Sequence, residues 1–280
     1  MMRRLVQMLR SRAGDDPVAI LFHQLCGHMA NWTRPIGGHV AWGAGSHRGI
    51  QWLDKVEFPR KQKRYIFSPL FEIRYDTAFE EVVRGCAVDR DEDRSWVNPD
   101  LVKGLVRLHE MGFAHSFEAW HDGKLVGGAF GTQLGSMITC DSMFHRMSNA
   151  SKAAYGQTLV HLQKRGFKVV DTNGVANHRV NYGEEWMPRR QFEHLVYACL
   201  KDSPSLIDSR PCPTLPWEIR AILPPLRAAR WLAHRLPRRR QAGSTAAPPA
   251  PDASQTPAAP AASEKTESSK SPSSSAPGAV

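Results

Sequence analysis

The chain has 280 residues, with 37 Lys and Arg against 27 Asp and Glu, a formal net charge of +10, and a 41% apolar share. That share supports a core and excludes a wholly disordered chain, and no run approaches the ~18 apolar residues of a membrane span. From 241 to 280, however, 27 residues are Ser, Ala or Pro and none is aromatic. Such a segment buries too little apolar surface to offset its ordering entropy, so a disordered tail is expected there.

The charge is unevenly placed. Residues 1–70 carry 11 basic and 4 acidic side chains (net +7), residues 71–200 carry 15 and 17 (net −2), and residues 201–240 carry 9 and 3 (net +6). A mildly acidic centre therefore sits between two basic flanks. The first ten residues are basic and amphipathic but lack the apolar core and cleavage site of a secretory signal. Five scattered cysteines, none in a Cys-x-x-Cys pair, indicate neither a disulfide framework nor a zinc site. A cytoplasmic protein without a metal or organic cofactor is the expectation.

In chain order, residues 1–70 are rich in Gly, Trp and His without a sustained period, and read as a small basic N-terminal subdomain. It ends in the run Arg60, Lys61, Lys63, Arg64. From 71 the pattern clarifies. A strand over 71–75 is followed by Asp76 as the cap of a helix carrying Phe79, Val82, Val83 and Cys86 at helical spacing. A polar loop over 89–95 leads to Trp96 and a second helix, capped by Asn98 or Asp100 and ended by Gly112. Strands over 114–120 and 124–130 flank an Asp122-Gly123 hairpin turn, and a third covers 135–142. A long helix over 149–165, a strand over 167–171 and a helix from Pro188 to about 200 complete a domain at 71–200. Residues 201–240 read as a basic helical extension. Strand, two helices, antiparallel meander, helix and strand describe an α+β sandwich of the GNAT-like acyltransferase type.

Leu108-His-Glu-Met-Gly-Phe-Ala-His-Ser116, Leu125-Val-Gly-Gly128, Asp141-Ser-Met-Phe144, Asn149-Ala-Ser-Lys152 and Pro188-Arg189 stand in an order and spacing that is similar to leucyl/phenylalanyl-tRNA–protein transferases. The resemblance covers about 71–195. The family's Trp-Trp-Ser-Pro element is absent, with Trp52 alone near its place. The resemblance implies transfer of Leu or Phe from aminoacyl-tRNA to the N-terminal amine of a protein beginning with Arg or Lys, marking it for degradation. It implies an aminoacyl-tRNA donor and an acceptor protein; a monomer is the expectation. It also implies roles for named residues. Asp171 and Asn173 stand where the family has Asp-x-Gln, the pair that activates the amine. Asp141, in place of a Glu, is the acid near the acceptor's positive charge, with Ser142 beside it. Met143, Ala129 and Ile138 line the aminoacyl pocket, and Trp96 stacks on the terminal adenine of tRNA.

On their own residues these positions read more simply. Asp171 and Asn173, two apart at a strand end, share one face if the chain stays extended, or make local hydrogen bonds in the following loop. Asp141 reads as a cap or turn residue, and His109 and His115 as structural. The run Arg60, Lys61, Lys63, Arg64 reads as a solvated face, or as a phosphate track where tRNA binds. Two competing functions are an inactive RNA-binding or interaction paralogue and a CoA-dependent N-acetyltransferase. Asn149, where the latter needs Gly, argues against CoA.

Overall fold

The structure, a computed structural model, describes residues 15–30, 42–43, 45–88, 97–175 and 182–221. Trp96, His178, the first fourteen residues, most of the basic extension and the 241–280 tail lie outside the described residues. The elements are α1 (Pro17–Leu25), β1 (Met29–Ala30), β2 (Trp42–Gly43), β3 (His47–Trp52), a single 3-10 turn (Leu53–Lys55), α2 (Arg60–Ile66) and β4 (Glu72–Tyr75). They continue with α3 (Phe79–Val88), α4 (Pro99–Glu110), β5 (Ala114–His121), β6 (Lys124–Leu134), β7 (Met137–Thr139) and β8 (Ser142–His145). Last come α5 (Ala150–Lys164), β9 (Val169–Asp171), β10 (Glu184–Pro188) and α6 (Arg189–Cys199). No helix among the described residues is long and apolar enough to cross a membrane.

Local chemistry explains most boundaries. Asp16 accepts from the amides of Val18 (2.9 Å) and Ala19 (3.2 Å), and Pro17 sits where its missing N–H costs nothing, so α1 starts there. Asn98 does the same for α4 through the Leu101 amide at 2.8 Å, and Gly112, at φ +84°, releases the chain after it. Asp122 and Gly123 both take positive φ, the turn that suits the twist of the β5–β6 hairpin.

The start of α3 differs from the expectation. Asp76 does not cap it but stands at φ +58°, its carboxylate accepting from the Ser116 amide (2.9 Å) and paired with His115 Nδ1 (2.8 Å). The amides of Thr77 and Ala78 instead donate to Glu118, each at 2.8 Å. Glu118 is fully buried on β5 and also accepts from Ser116 Oγ and Trp120 Nε1. A buried carboxylate must be supplied with donors, and the free amides at a helix start are such donors.

An eight-stranded mixed sheet carries the order β10-β3-β9-β7-β6-β5-β4, with β8 also on β6; all pairs are antiparallel except β7 with β9. Within the first seventy residues, where no period is legible, His47–Trp52 forms an inner strand between β9 and β10. Strand alternation divides the apolar residues between two faces. Ile50, Phe130, Met137, Phe144 and Val169 pack with α1, α3, α4 and α6. Phe117, Ala129, Ile138 and Val170 pack with α5 and with Ile66 of α2. This is an α+β architecture with helices on both faces of the sheet.

The third strand of the meander also departs from its reading. The continuous strand over 135–142 is broken at Cys140 and Asp141. β7 pairs Gln133 with Ile138, whereas β8 pairs Phe130 with Ser142, a register shifted by one residue. Thr139 drives the break. Its Oγ1 takes the Thr132 amide at 2.7 Å, and its carbonyl occupies the place that a side chain on Gly131 would take. Gly at 131 makes the bulge possible, and the bulge turns Asp141 toward the end of β9.

Candidate active site

Four elements converge where β7 gives way to β8. From β9 comes Asp171, followed by Asn173 at φ +62°. The chain is therefore not extended past Asp171. Instead the Asn173 amide donates back to Asp171 Oδ1 at 2.9 Å, the local turn that is the alternative for Asx residues. The bulge supplies Asp141. From β3 comes Arg48, on the same face as Ile50, and from the last turn of α1 comes Gln24.

Arg48 is the hub. Only 2% exposed, it donates from Nε to Asp171 Oδ1 at 3.2 Å and from Nη2 to Asp171 Oδ2, a two-pronged ion pair. The same Nη2 donates to Asn173 Oδ1 at 2.6 Å. The guanidinium also lies 5.0 Å above the Phe192 ring of α6. Asn173 Nδ2 reaches toward the Cys140 carbonyl (3.4 Å) and Asp141 Oδ1 (3.5 Å), while Gln24 Nε2 donates to Asp141 Oδ2 at 3.0 Å. The chain of contacts therefore runs Asp171–Arg48–Asn173–Asp141–Gln24.

Asp141 differs electrically from Asp171. Burial, and then the negative charge of Asp171, push its pKa up to about 6, against hydrogen bonds from Thr139 and Asn173 and the charge of Arg48. Three polar atoms around this group are buried and make no hydrogen bond among the described residues: Arg48 Nη1, Gln24 Oε1 and Ser142 Oγ. Native structures rarely leave such atoms unpaired unless a ligand or water meets them.

The residues expected to line an aminoacyl pocket fall together. Ala129 and Met143 are direct cross-strand partners, and Ile138 joins them with Phe117, Tyr155 and Leu159. This cluster lies on the opposite face of the sheet from Arg48 and Asp171. The two groups are continuous only through 140–143, at the seam of the bulge. Trp52 does not join this cluster. It packs against the other core, and its Nε1 donates to Glu185 at 2.6 Å. Arg60, Lys61, Lys63 and Arg64 form α2, all four exposed, with Ile66 anchoring the helix on α5 over Gly156. His109 and His115 are structural: Nδ1 of His109 lies 2.7 Å from the Ala114 carbonyl, and His115 holds Asp76. Among the described residues no group of His, Cys, Asp and Glu is placed to hold a metal.

Sequence reasoning does not single out Arg48 or Gln24. The available signal is the alternation Arg48-Gly49-Ile50-Gln51-Trp52, which places a charge on the face of a buried isoleucine, where an ion needs a counterion. It is readable only once 47–52 is known to be an inner strand.

The family model for leucyl/phenylalanyl-tRNA protein transferase matches residues 50–197. A leucyl/phenylalanyl-tRNA–protein transferase from Gloeobacter violaceus is 37% identical over 164 residues, which cover 59% of this chain and 83% of the relative. One from Aromatoleum aromaticum is 38% identical over 154 residues, covering 55% and 65%. The solved structure of FemX shares 10% identity and a TM-score of 0.40 over 63% of this chain and 70% of its own, a likeness too loose to add to the family match. The matched segment contains Asp141, Asp171, Asn173 and the pocket cluster but stops short of Arg48 and Gln24. On a match that spans more than half its length, the chain belongs to the leucyl/phenylalanyl-tRNA protein transferase family.

Proposed function

We propose that the protein transfers leucine or phenylalanine from aminoacyl-tRNA to the N-terminal α-amine of an acceptor protein, one beginning with Arg or Lys. The observation that carries this reading is the polar group of buried Asp171 with half-buried Asp141 and Asn173, set across the bulge seam from an apolar cluster. The donor's ester is already reactive. The protein has to supply placement, a proton acceptor for an amine whose ordinary pKa is near ~8, and stabilisation of the developing oxyanion.

Placement follows from the two faces. Ala129, Ile138 and Met143 supply an apolar wall for the transferred side chain, with its ester carbonyl directed at the seam. The acceptor ammonium enters from the opposite face, toward Asp141, with Gln24 Oε1 as a second acceptor. Ser142 Oγ, buried beside the seam, is a donor for the oxyanion. Trp96 and Trp52 serve the adenine end of the donor, where stacking on an aromatic is worth ~1–3 kcal/mol per base. The four exposed cations of α2 contact its phosphates. The chemistry balances without a further reactant. The ammonium gives one proton to the enzyme, and the amine nitrogen bonds the ester carbonyl carbon. The carbon–oxygen bond to the ribose then breaks as that oxygen takes the second proton, and the third stays on the new amide.

The test is transfer of labelled leucine or phenylalanine from charged tRNA to peptides starting with Arg, Lys or Ala. Label appearing on the basic peptides supports the reading. Tight binding of charged tRNA with no transfer to any peptide refutes it and leaves a binding protein.

A further inference from the structure

We propose that Arg48 is a positioning residue that ties up Asp171 and Asn173, leaving Asp141 as the carboxylate that takes the proton from the acceptor's ammonium. The inference rests on the transfer reading above and assigns the proton within it.

The geometry narrows the choice of base. Asp171 offers two oxygens. One accepts from Arg48 Nε and from the Asn173 amide, the other from Arg48 Nη2. The oxygen of the Asn173 side chain accepts from that same Nη2 at 2.6 Å, so its amide nitrogen, a donor, is the end presented toward Asp141. With both oxygens already taken up by the guanidinium fork and the Asn173 amide, Asp171 presents no free oxygen to an arriving ammonium. Asp141 has no such counterion in contact. Its fixed partners are two neutral amides, Gln24 Nε2 at 3.0 Å and Asn173 Nδ2 at 3.5 Å. The groups facing it are Asp171 from β9, Arg48 from β3, Thr139 from β7 and Gln24 from α1; only the first two are charged. The net charge of the three ionisable groups, with Asp141 ionised, is −1, which fits one arriving ammonium.

Arg48 then has two effects. It orients Asn173 through Nη2, and it favours ionised Asp141 through its charge. The step itself is proton transfer from the acceptor ammonium to an Asp141 oxygen. The freed amine attacks the ester carbonyl, and Asp141 returns its proton to solvent once the acylated product leaves.

Single-turnover transfer from leucyl-tRNA to an Arg-starting peptide, followed from pH 5 to 8.5, tests the assignment. Asp141→Asn is expected to lower the rate by ~10²–10⁴-fold, the usual worth of a general base, with charged-tRNA affinity retained. The paired replacement Arg48→Met with Asp171→Asn removes both members of the ion pair and leaves no lone buried charge. It is expected to fold, to lose less than that ~10²-fold, and to keep an acid limb in its rate profile. Arg48→Met alone moves the acid limb to higher pH, because a charge favouring ionised Asp141 is gone; Arg48→Lys returns the limb but not the full rate. A paired variant as slow as Asp141→Asn, or an Asp141→Asn protein at wild-type rate, overturns the assignment. Absence of transfer by the wild type overturns the transfer reading itself, which separates the two failures.

Discussion

Replacing Asp141 by Asn should make the protein more stable at neutral pH while it slows transfer. The carboxyl's pKa is pushed from 3.8 to about 6 by burial and by Asp171. Between those two values the unfolded chain has already released a proton that the folded chain keeps. Stability therefore falls as pH rises through that window, and the loss is complete above the folded value. A shift of about two units corresponds to ~3 kcal/mol, reduced somewhat because Asp141 is only partly buried. Asn carries no charge to desolvate and still accepts one of the two amide hydrogen bonds. Urea denaturation of both proteins at pH 4 and pH 7.5 isolates the effect, because every other titrating group cancels in the difference. The Asn variant should gain up to ~3 kcal/mol relative to wild type between the two pH values. A difference that does not change with pH would mean that Asp141 is well solvated and ordinary, and the reasoning about its environment would fail.

Other outcomes follow from single contacts. Gly131→Ala places a methyl on the Thr139 carbonyl and should destabilise by more than the ~1–3 kcal/mol of ordinary overpacking, read as a lowered melting temperature. Glu118→Ala removes the acceptor for the Thr77 and Ala78 amides and should cost several kcal/mol, again by melting. Ala129→Leu adds bulk to the fully buried apolar cluster and should reduce transfer of phenylalanine more than leucine in a competition assay. Changing Arg60, Lys61, Lys63 and Arg64 together to Gln should weaken charged-tRNA binding. It should also flatten the plot of log affinity against log salt by ~0.7–0.9 for each phosphate no longer neutralised, and an unchanged slope would show that α2 touches none.

What was legible in the sequence was mostly what neighbours in sequence decide. The Asp122-Gly123 turn, the Asn98 cap and the Gly112 stop depend on a few adjacent residues and occur where those residues place them. The helix after Asp76 shows the limit. Its cap arrives from Glu118, some forty positions away, because β4 and β5 happen to pair. The same distance hid the site's hub. Arg48 meets Asp171 across 123 positions, and Gln24 meets Asp141 across 117. No periodicity links them. Asp141, Asp171 and Asn173 were identifiable by resemblance, but their relation was not. The strand over 135–142 hides its bulge because the partners that shape it, Gly131 and the Thr132 amide, lie on the neighbouring strand, and Asn173 leaves the extended path at φ +62°. Side-chain type located the chemistry; the bulge and the β3–β9 pairing set which oxygen is available.

The most direct test is whether transfer and binding separate at one carboxyl group. Wild type and Asp141→Asn are each given labelled leucyl-tRNA and an Arg-starting peptide at pH 7.5, with tRNA affinity measured on the same samples. The expected result is labelled peptide from the wild type, at least ~10²-fold less from the variant, and equal affinity for tRNA. Equal transfer by both proteins, or none by the wild type, contradicts the central claim.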